Sequence, residues 1–103
     1  MARPPRLSQE LIERHLEFHP SWRLEGNDVP PQRIVRELHA ANWPAAIGIV
    51  NAIAIVAETM DHHPDILVYG WNKIRVTLTT HDQGGLTELD FALADKIDEM
   101  NGA

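Results

Sequence analysis

The chain has 103 residues, 44% apolar and 23% charged, which is ordinary globular composition and excludes extensive disorder. With no cysteine it can have no disulfide framework, thiolate nucleophile or cysteine-ligated zinc. The net charge is −6 and the basic clusters are confined to Arg3/Arg6 and Arg33/Arg36, which argues against direct nucleic-acid binding and fits a cytoplasmic protein.

One domain, residues 1–103, is expected at this length. A core of that size is marginal, so a homodimer or homotetramer is expected too. Met1 to Arg6 carries basic residues and prolines but no apolar core, so it does not read as a secretory signal. Ser8 is a helix N-cap, with Leu7 and Ile12 as a hydrophobic staple, and the helix that follows must stop before Pro20. Trp22 and Leu24 alternate with Arg23 and Glu25 as in a strand. Gly26 to Pro31 reads as a turn, and Arg33 to His39 as a second strand.

Asn42 caps a central helix with Pro44 in its first turn, and Pro64 stops it, which predicts an end near Asp61 or His62. Its residues are apolar nearly all round, so more than one side should be covered, one of them by a partner subunit. The stretch Trp43 to Met60 holds Asn51 and Glu58 and falls short of the roughly 20 apolar residues of a membrane span. Ile66 to Trp71 reads as a strand. Ile74, Val76 and Leu78 alternate with Arg75, Thr77 and Thr79 in another, with His81 at its end and a turn over Asp82 to Gly85. The last helix opens at Thr87, with Asp90 as capping-box partner, Leu86 and Phe91 as staple, and an apolar stripe of Leu89, Leu93, Ile97 and Met100. The predicted architecture is α+β, in the order α-β-β-α-β-β-α. It is a four-stranded antiparallel sheet with three helices packed on one face.

Chemistry concentrates on histidine. His62 and His63 adjoin at the end of the central helix, behind Glu58 and Asp61, and His81 stands at the end of a strand. Packed at one sheet edge, three imidazoles and one or two carboxylates suit acid–base work near neutral pH. Each group also has a structural reading. A helix-end histidine can serve its free carbonyls, His81 can be a turn residue, Asp90 can be only a cap, and Glu58 can pair with His62 one turn on. Trp71 can be core or rim. A metal site is the competing reading, but neighbouring histidines on a helix point about 100° apart, a poor spacing for shared ligation.

Together these residues resemble the signature of the pterin-4a-carbinolamine dehydratase family. Glu58-Thr-Met-Asp-His62-His63-Pro64 is similar to its helix-end motif. Trp71 follows, then His81 after nine residues and Asp90 after eight more, a spaced pattern over 33 residues. The run from Thr79 to Thr87 is similar to bacterial members, whereas the chain up to Asn42 resembles the family only in architecture. Asp65 to Trp71 is one residue longer than in many members, so either Tyr69 or Trp71 takes the aromatic place. Leu89 stands where many members carry a polar or basic residue. The resemblance implies dehydration of a 4a-hydroxytetrahydropterin to the quinonoid dihydropterin in pterin cofactor recycling, with no metal or redox cofactor. It implies His62 and His81 as the acid–base pair, which is acid and which base being open, and His63 as a helper. Glu58, Asp61, Pro64, Trp71 and Asp90 are the substrate-binding or orienting residues. Relatives of this fold also act as dimerisation or assembly partners of other proteins, and docking through the central helix, with Ala46, Gly48, Ile49, Ala52, Ile53 and Val56, is the alternative.

Overall fold

The structure is a computed structural model and describes residues 3–101. Met1 and Ala2, part of the segment read for a signal, lie outside the described residues. Helix α1 (Gln9–Glu17) begins at Ser8, whose hydroxyl accepts the Leu11 amide at 3.3 Å. Strands β1 (Arg23–Glu25) and β2 (Arg33–His39) form the first hairpin, and α2 (Trp43–Thr59) follows. Strands β3 (Asp65–Tyr69) and β4 (Lys73–Leu78) form the second, and α3 (Glu88–Met100) closes the order. The sheet is antiparallel throughout, in the order β1-β2-β4-β3. The two hairpins are joined by pairing of β2 with β4.

Strand alternation decides which side the helices cover. Ile34 lies opposite Leu78, and Leu38 opposite Ile74, which in turn faces Val68. These residues join Ile12, Ile53, Phe91, Leu93 and Ile97 in one apolar core between sheet and helices. Each fully buried side chain of that size contributes about 1.5–3 kcal/mol. Arg36 also points to this side, and its charge is met by Asp98 of α3, which accepts the Trp22 indole N–H as well at 2.9 Å.

Four expectations need correction. Helix α2 ends at Thr59, not at Asp61 or His62. Its cap is Met60, and Asp61 takes a left-handed φ of 50°. The Asp61 amide donates to the Glu58 carbonyl and the His62 amide to Ala57, both at 3.1 Å, which is a Schellman closure with aspartate in the place glycine usually fills. Strand β3 stops at Tyr69, because Gly70 and Trp71 both have positive φ and form the hairpin turn. His81 is not a strand residue. Strand β4 ends at Leu78, Thr80 bridges to Gly85, and His81–Gln83 is a 3-10 turn closed by Gly84 at φ 74°. On α3 the buried stripe is Asp90, Phe91, Leu93, Ala94 and Ile97, with Leu89 only half-buried and Met100 exposed.

Helix α2 buries Ala46, Ile53 and Ala57 on one side, while Trp43 at its start and Ile55 on its opposite side are exposed in the single chain. Among the described residues, no helix is long and apolar enough to cross a membrane.

Candidate active site

The Schellman turn determines which way each histidine faces. After Asp61 the chain reverses, so His62 turns inward and is 5% exposed, while His63 turns outward. Pro64 follows, half-buried, and leads into β3. His62 Nε2 lies 2.6 Å from Asp90 Oδ1, across 28 residues of sequence. Asp90 is itself fully buried, and its other oxygen is held twice, by the Thr80 hydroxyl at 2.8 Å and the Thr87 amide at 2.9 Å. The Thr80 and Thr87 hydroxyls are 2.9 Å apart and complete the network. Asp90 is therefore both a helix-cap acid and a histidine partner, with one oxygen for each task.

This arrangement fixes the proton on His62. Asp90 Oδ2 receives two donors from Thr80 and Thr87, and a carboxylate can only accept, so His62 Nε2 is the donor to Oδ1 and the lone pair of a neutral ring lies on Nδ1. His63 Nε2 lies 2.8 Å from Glu58 Oε1, with both groups exposed. Glu58 thus partners His63 rather than His62. The carboxylate of Asp61 faces Arg3 at 3.7 Å.

His62, His63 and His81 line one open pocket of about 210 Å³, together with Arg3, Thr79, Thr80 and Asp82. The three histidines converge on it, and Asp90 stands behind His62. Trp71 and Tyr69 do not reach the pocket of this chain. Tyr69 pairs with Lys73 at the far end of the second hairpin, six residues along β4 from Thr79, roughly 20 Å at strand rise. Trp71 is exposed at that turn. The Tyr69 hydroxyl instead donates to Glu37 at 2.8 Å, on the sheet face away from the helices.

Sequence reasoning misses Arg3, Thr80 and Asp82. Thr80 and Asp82 flank His81, inside the run Thr79 to Thr87 that carries part of the resemblance. Arg3 gives no signal, since only folding brings it beside residues 61 and 82. Among the described residues no three His, Asp or Glu side chains form a metal-binding group.

A sheet covered on one face by helices, with a carboxylate-backed imidazole opening into a histidine-lined pocket, defines a class of small α+β protein equipped for proton transfer. Comparison narrows the class: the family model described as Pterin 4 alpha carbinolamine dehydratase matches residues 5–100. The chain belongs to that family. A Chloroflexus aggregans protein, provisionally named pterin-4-alpha-carbinolamine dehydratase, is 52% identical over 94% of this chain and 98% of its own length. A similarly named Metallosphaera sedula protein is 42% identical over 93% and 94%. The crystal structure of a transcriptional coactivator/pterin dehydratase from Brucella melitensis superposes with a TM-score of 0.82 at 31% identity, over 94% of this chain and 99% of that one. A pterin dehydratase-like RuBisCO assembly factor of the alpha-carboxysome shares the fold, with a TM-score of 0.65 at 24% identity over 81% and 92%.

Proposed function

We propose that the protein dehydrates 4a-hydroxytetrahydropterin to the quinonoid dihydropterin by histidine acid–base catalysis, as a step in pterin cofactor recycling. The observation that carries the reading is the buried His62–Asp90 pair opening onto a pocket shared with His63 and His81. In this reading the Nδ1 lone pair of His62 takes the proton from the substrate ring nitrogen. The carbon–oxygen bond at the bridgehead breaks as the ring double bond forms, and His81 supplies the proton with which the hydroxyl leaves as water. His63, paired with Glu58, holds the leaving hydroxyl in place. Asp90 positions His62 and favours the imidazolium that forms, since an adjacent carboxylate stabilises that charge. These steps call for no metal or redox cofactor. The protein would act in the cytoplasm.

The test is dehydration of 4a-hydroxytetrahydropterin generated in situ, followed by absorbance, with wild type and His81→Ala, each with and without chelator. Enhancement over the spontaneous rate that survives chelator and collapses in the variant is expected. A wild-type rate equal to the spontaneous one would overturn the reading.

The exposed apolar side of α2 supports two further parts of the proposal. Ile55 is 68% exposed and lies among Ala54, Glu58 and Thr59 in an apolar depression. We infer that this face packs in a homodimer or homotetramer. The same face favours the second reading, a non-enzymatic dimerisation or assembly partner that docks another protein through α2. Full dehydratase activity in a homo-oligomer would leave that second reading without support.

A further inference from the structure

The pocket needs a hydrogen-bond donor for its substrate, and most candidate donors are already used. The Thr79 hydroxyl donates to the Gln32 carbonyl at 2.8 Å, and Thr80 donates to Asp90. His62 gives its Nε2 hydrogen to Asp90, His63 is engaged with Glu58, and His81 is assigned above to the leaving hydroxyl. Asp82 can only accept. Arg3 differs. Its Nη2 lies 3.7 Å from Asp61 Oδ2 and its Nε 3.8 Å from Asp82 Oδ2, both beyond hydrogen-bond length. The guanidinium is held by charge, and among the described residues its N–H groups make no hydrogen bond.

Contacts of the segment that follows and the two carboxylates keep Arg3 there. The Leu7 amide donates to the Leu86 carbonyl at 2.8 Å, tying the segment leading from Arg3 to the 81–86 loop. The side chain of Arg6 crosses Gly85, where a Cβ would sit 2.9 Å from the arginine Cδ, so this crossing uses the bare glycine. Asp61 immediately precedes His62, and Asp82 immediately follows His81. One guanidinium thus spans the two walls that carry the proposed acid and base. Although Asp61 and Asp82 are well exposed, the Arg3 side chain is only 26% exposed, because it lies over the pocket rather than in solvent.

We propose that Arg3 recognises the acceptor edge of the substrate, its planar fork donating to the ring carbonyl of the bound pterin while Asp61 and Asp82 hold it in place. The assignment rests on the pterin reading above and makes Arg3 a specificity-determining residue, with no part in the proton transfers. Loss of a charged donor that acts mainly in binding raises KM and spares kcat.

The experiment measures kcat, KM and thermal midpoint for wild type, Arg3→Ala and Arg3→Lys. In parallel, fluorescence titration gives the Kd of 7,8-dihydrobiopterin, a stable planar pterin. Arg3→Ala is expected to raise both KM and Kd about tenfold, with kcat within threefold and an unchanged midpoint. Arg3→Lys, which keeps the charge without the fork, falls between the two. Unchanged KM and Kd in the alanine variant would overturn the proposal while leaving the dehydratase reading intact. A lower midpoint and kcat at constant KM would also overturn it, reducing Arg3 to a strap. Wild type that binds the pterin through Arg3 without turning substrate over would sink the dehydratase reading and keep this one. Absence of both binding and turnover would end both.

Discussion

His62 and Asp90 meet at 2.6 Å in the interior, although one ends the turn after α2 and the other lies in the first turn of α3. The contact joins a folding element, the capping box of α3, to a reactive imidazole. Asp90→Asn tests that link. If the amide carbonyl stays towards His62, the amide NH₂ confronts the Thr80 hydroxyl and Thr87 amide, which are donors. If it flips, the NH₂ faces Nε2 and drives the His62 hydrogen to Nδ1, leaving no base in the pocket. Either way kcat should fall about 100-fold, and stability by roughly 1–3 kcal/mol. Dehydration kinetics and urea unfolding check the two parts, and an active, fully stable variant would refute the coupling.

Thr80 offers a finer version of the same test. Thr80→Val keeps the shape and removes one of the two donors to Asp90 Oδ2, with the Thr87 amide left in place. Activity should fall about tenfold, less than for Asp90→Asn, by analogy with the roughly 10–100-fold that outer partners of metal-bound histidines contribute. Thr80→Ser should restore most of it. Equal loss in the valine and serine variants would point to packing rather than hydrogen bonding.

The exposed histidines should separate stability from activity. His81 and His63 are exposed, and surface replacements of this sort usually shift stability by no more than about 0.5 kcal/mol. His81→Ala and His63→Ala should therefore unfold like wild type. His81→Ala should lose about 100-fold or more in kcat as the missing acid, and His63→Ala less. Glu58→Gln should behave as a mild form of His63→Ala, because Glu58 touches His63 and not His62. If Glu58→Gln were as damaging as a His62 variant, this division of partners would be wrong.

Local chemistry explains what is legible in the sequence. Ser8, Asn42 and Thr87 cap the helices they precede because a cap is set by residues three positions apart. Alternation in β2 and β4 is likewise local. The end of α2 is misplaced by sequence reasoning because Pro64 marks only the last place a helix can stop, whereas the Schellman turn at an aspartate stops it earlier. That error conceals the opposite facing of His62 and His63. Asp90 reads as cap or partner, and one residue does both because a carboxylate has two oxygens. The reach of Trp71 is misjudged because strand register, fixed by Tyr69 opposite Lys73, carries it away from the pocket. Arg3 depends wholly on tertiary contact and leaves no trace in sequence spacing.

The open face of the sheet supplies a pH test independent of the pocket. Burial pushes the Glu37 carboxyl up, but hydrogen bonds from Arg75, Tyr69 and Arg23 outweigh it and hold the group below its ordinary 4.5. Folding therefore favours the ionised form. The stabilisation is complete above the ordinary value and is lost as pH falls through 4.5 towards the lower folded value. Glu37→Gln should flatten the acid limb of the stability curve below about pH 5. The Glu37 hydrogen bond also raises the ionisation of Tyr69 above its ordinary 10.0. Because Tyr69 is the one tyrosine in the chain, alkaline absorbance titration reads it directly. The variant should ionise it at lower pH, and an unmoved phenol would break the proposed network.

The outward side of α2 is the last feature the fold leaves without a purpose in one chain. An isoleucine 68% exposed on a helix of alanine, isoleucine and valine forgoes roughly 1.5–3 kcal/mol of burial. A few such positions are a large share of the stability of a chain this small. Packing against a second copy recovers that energy, and Ile55 lines a different depression from the pocket that His62 lines. Ile55→Glu places a charge in the contact, and the new carboxylate stands within one helical turn of Glu58, which adds repulsion along the same face. The expected result is dissociation to monomer by light scattering at micromolar concentration, with the far-UV spectrum retained. If the variant keeps the wild-type mass, the α2 face is not the contact. If wild type is itself monomeric at that concentration, the oligomer proposal fails, and the face is left for another protein to cover.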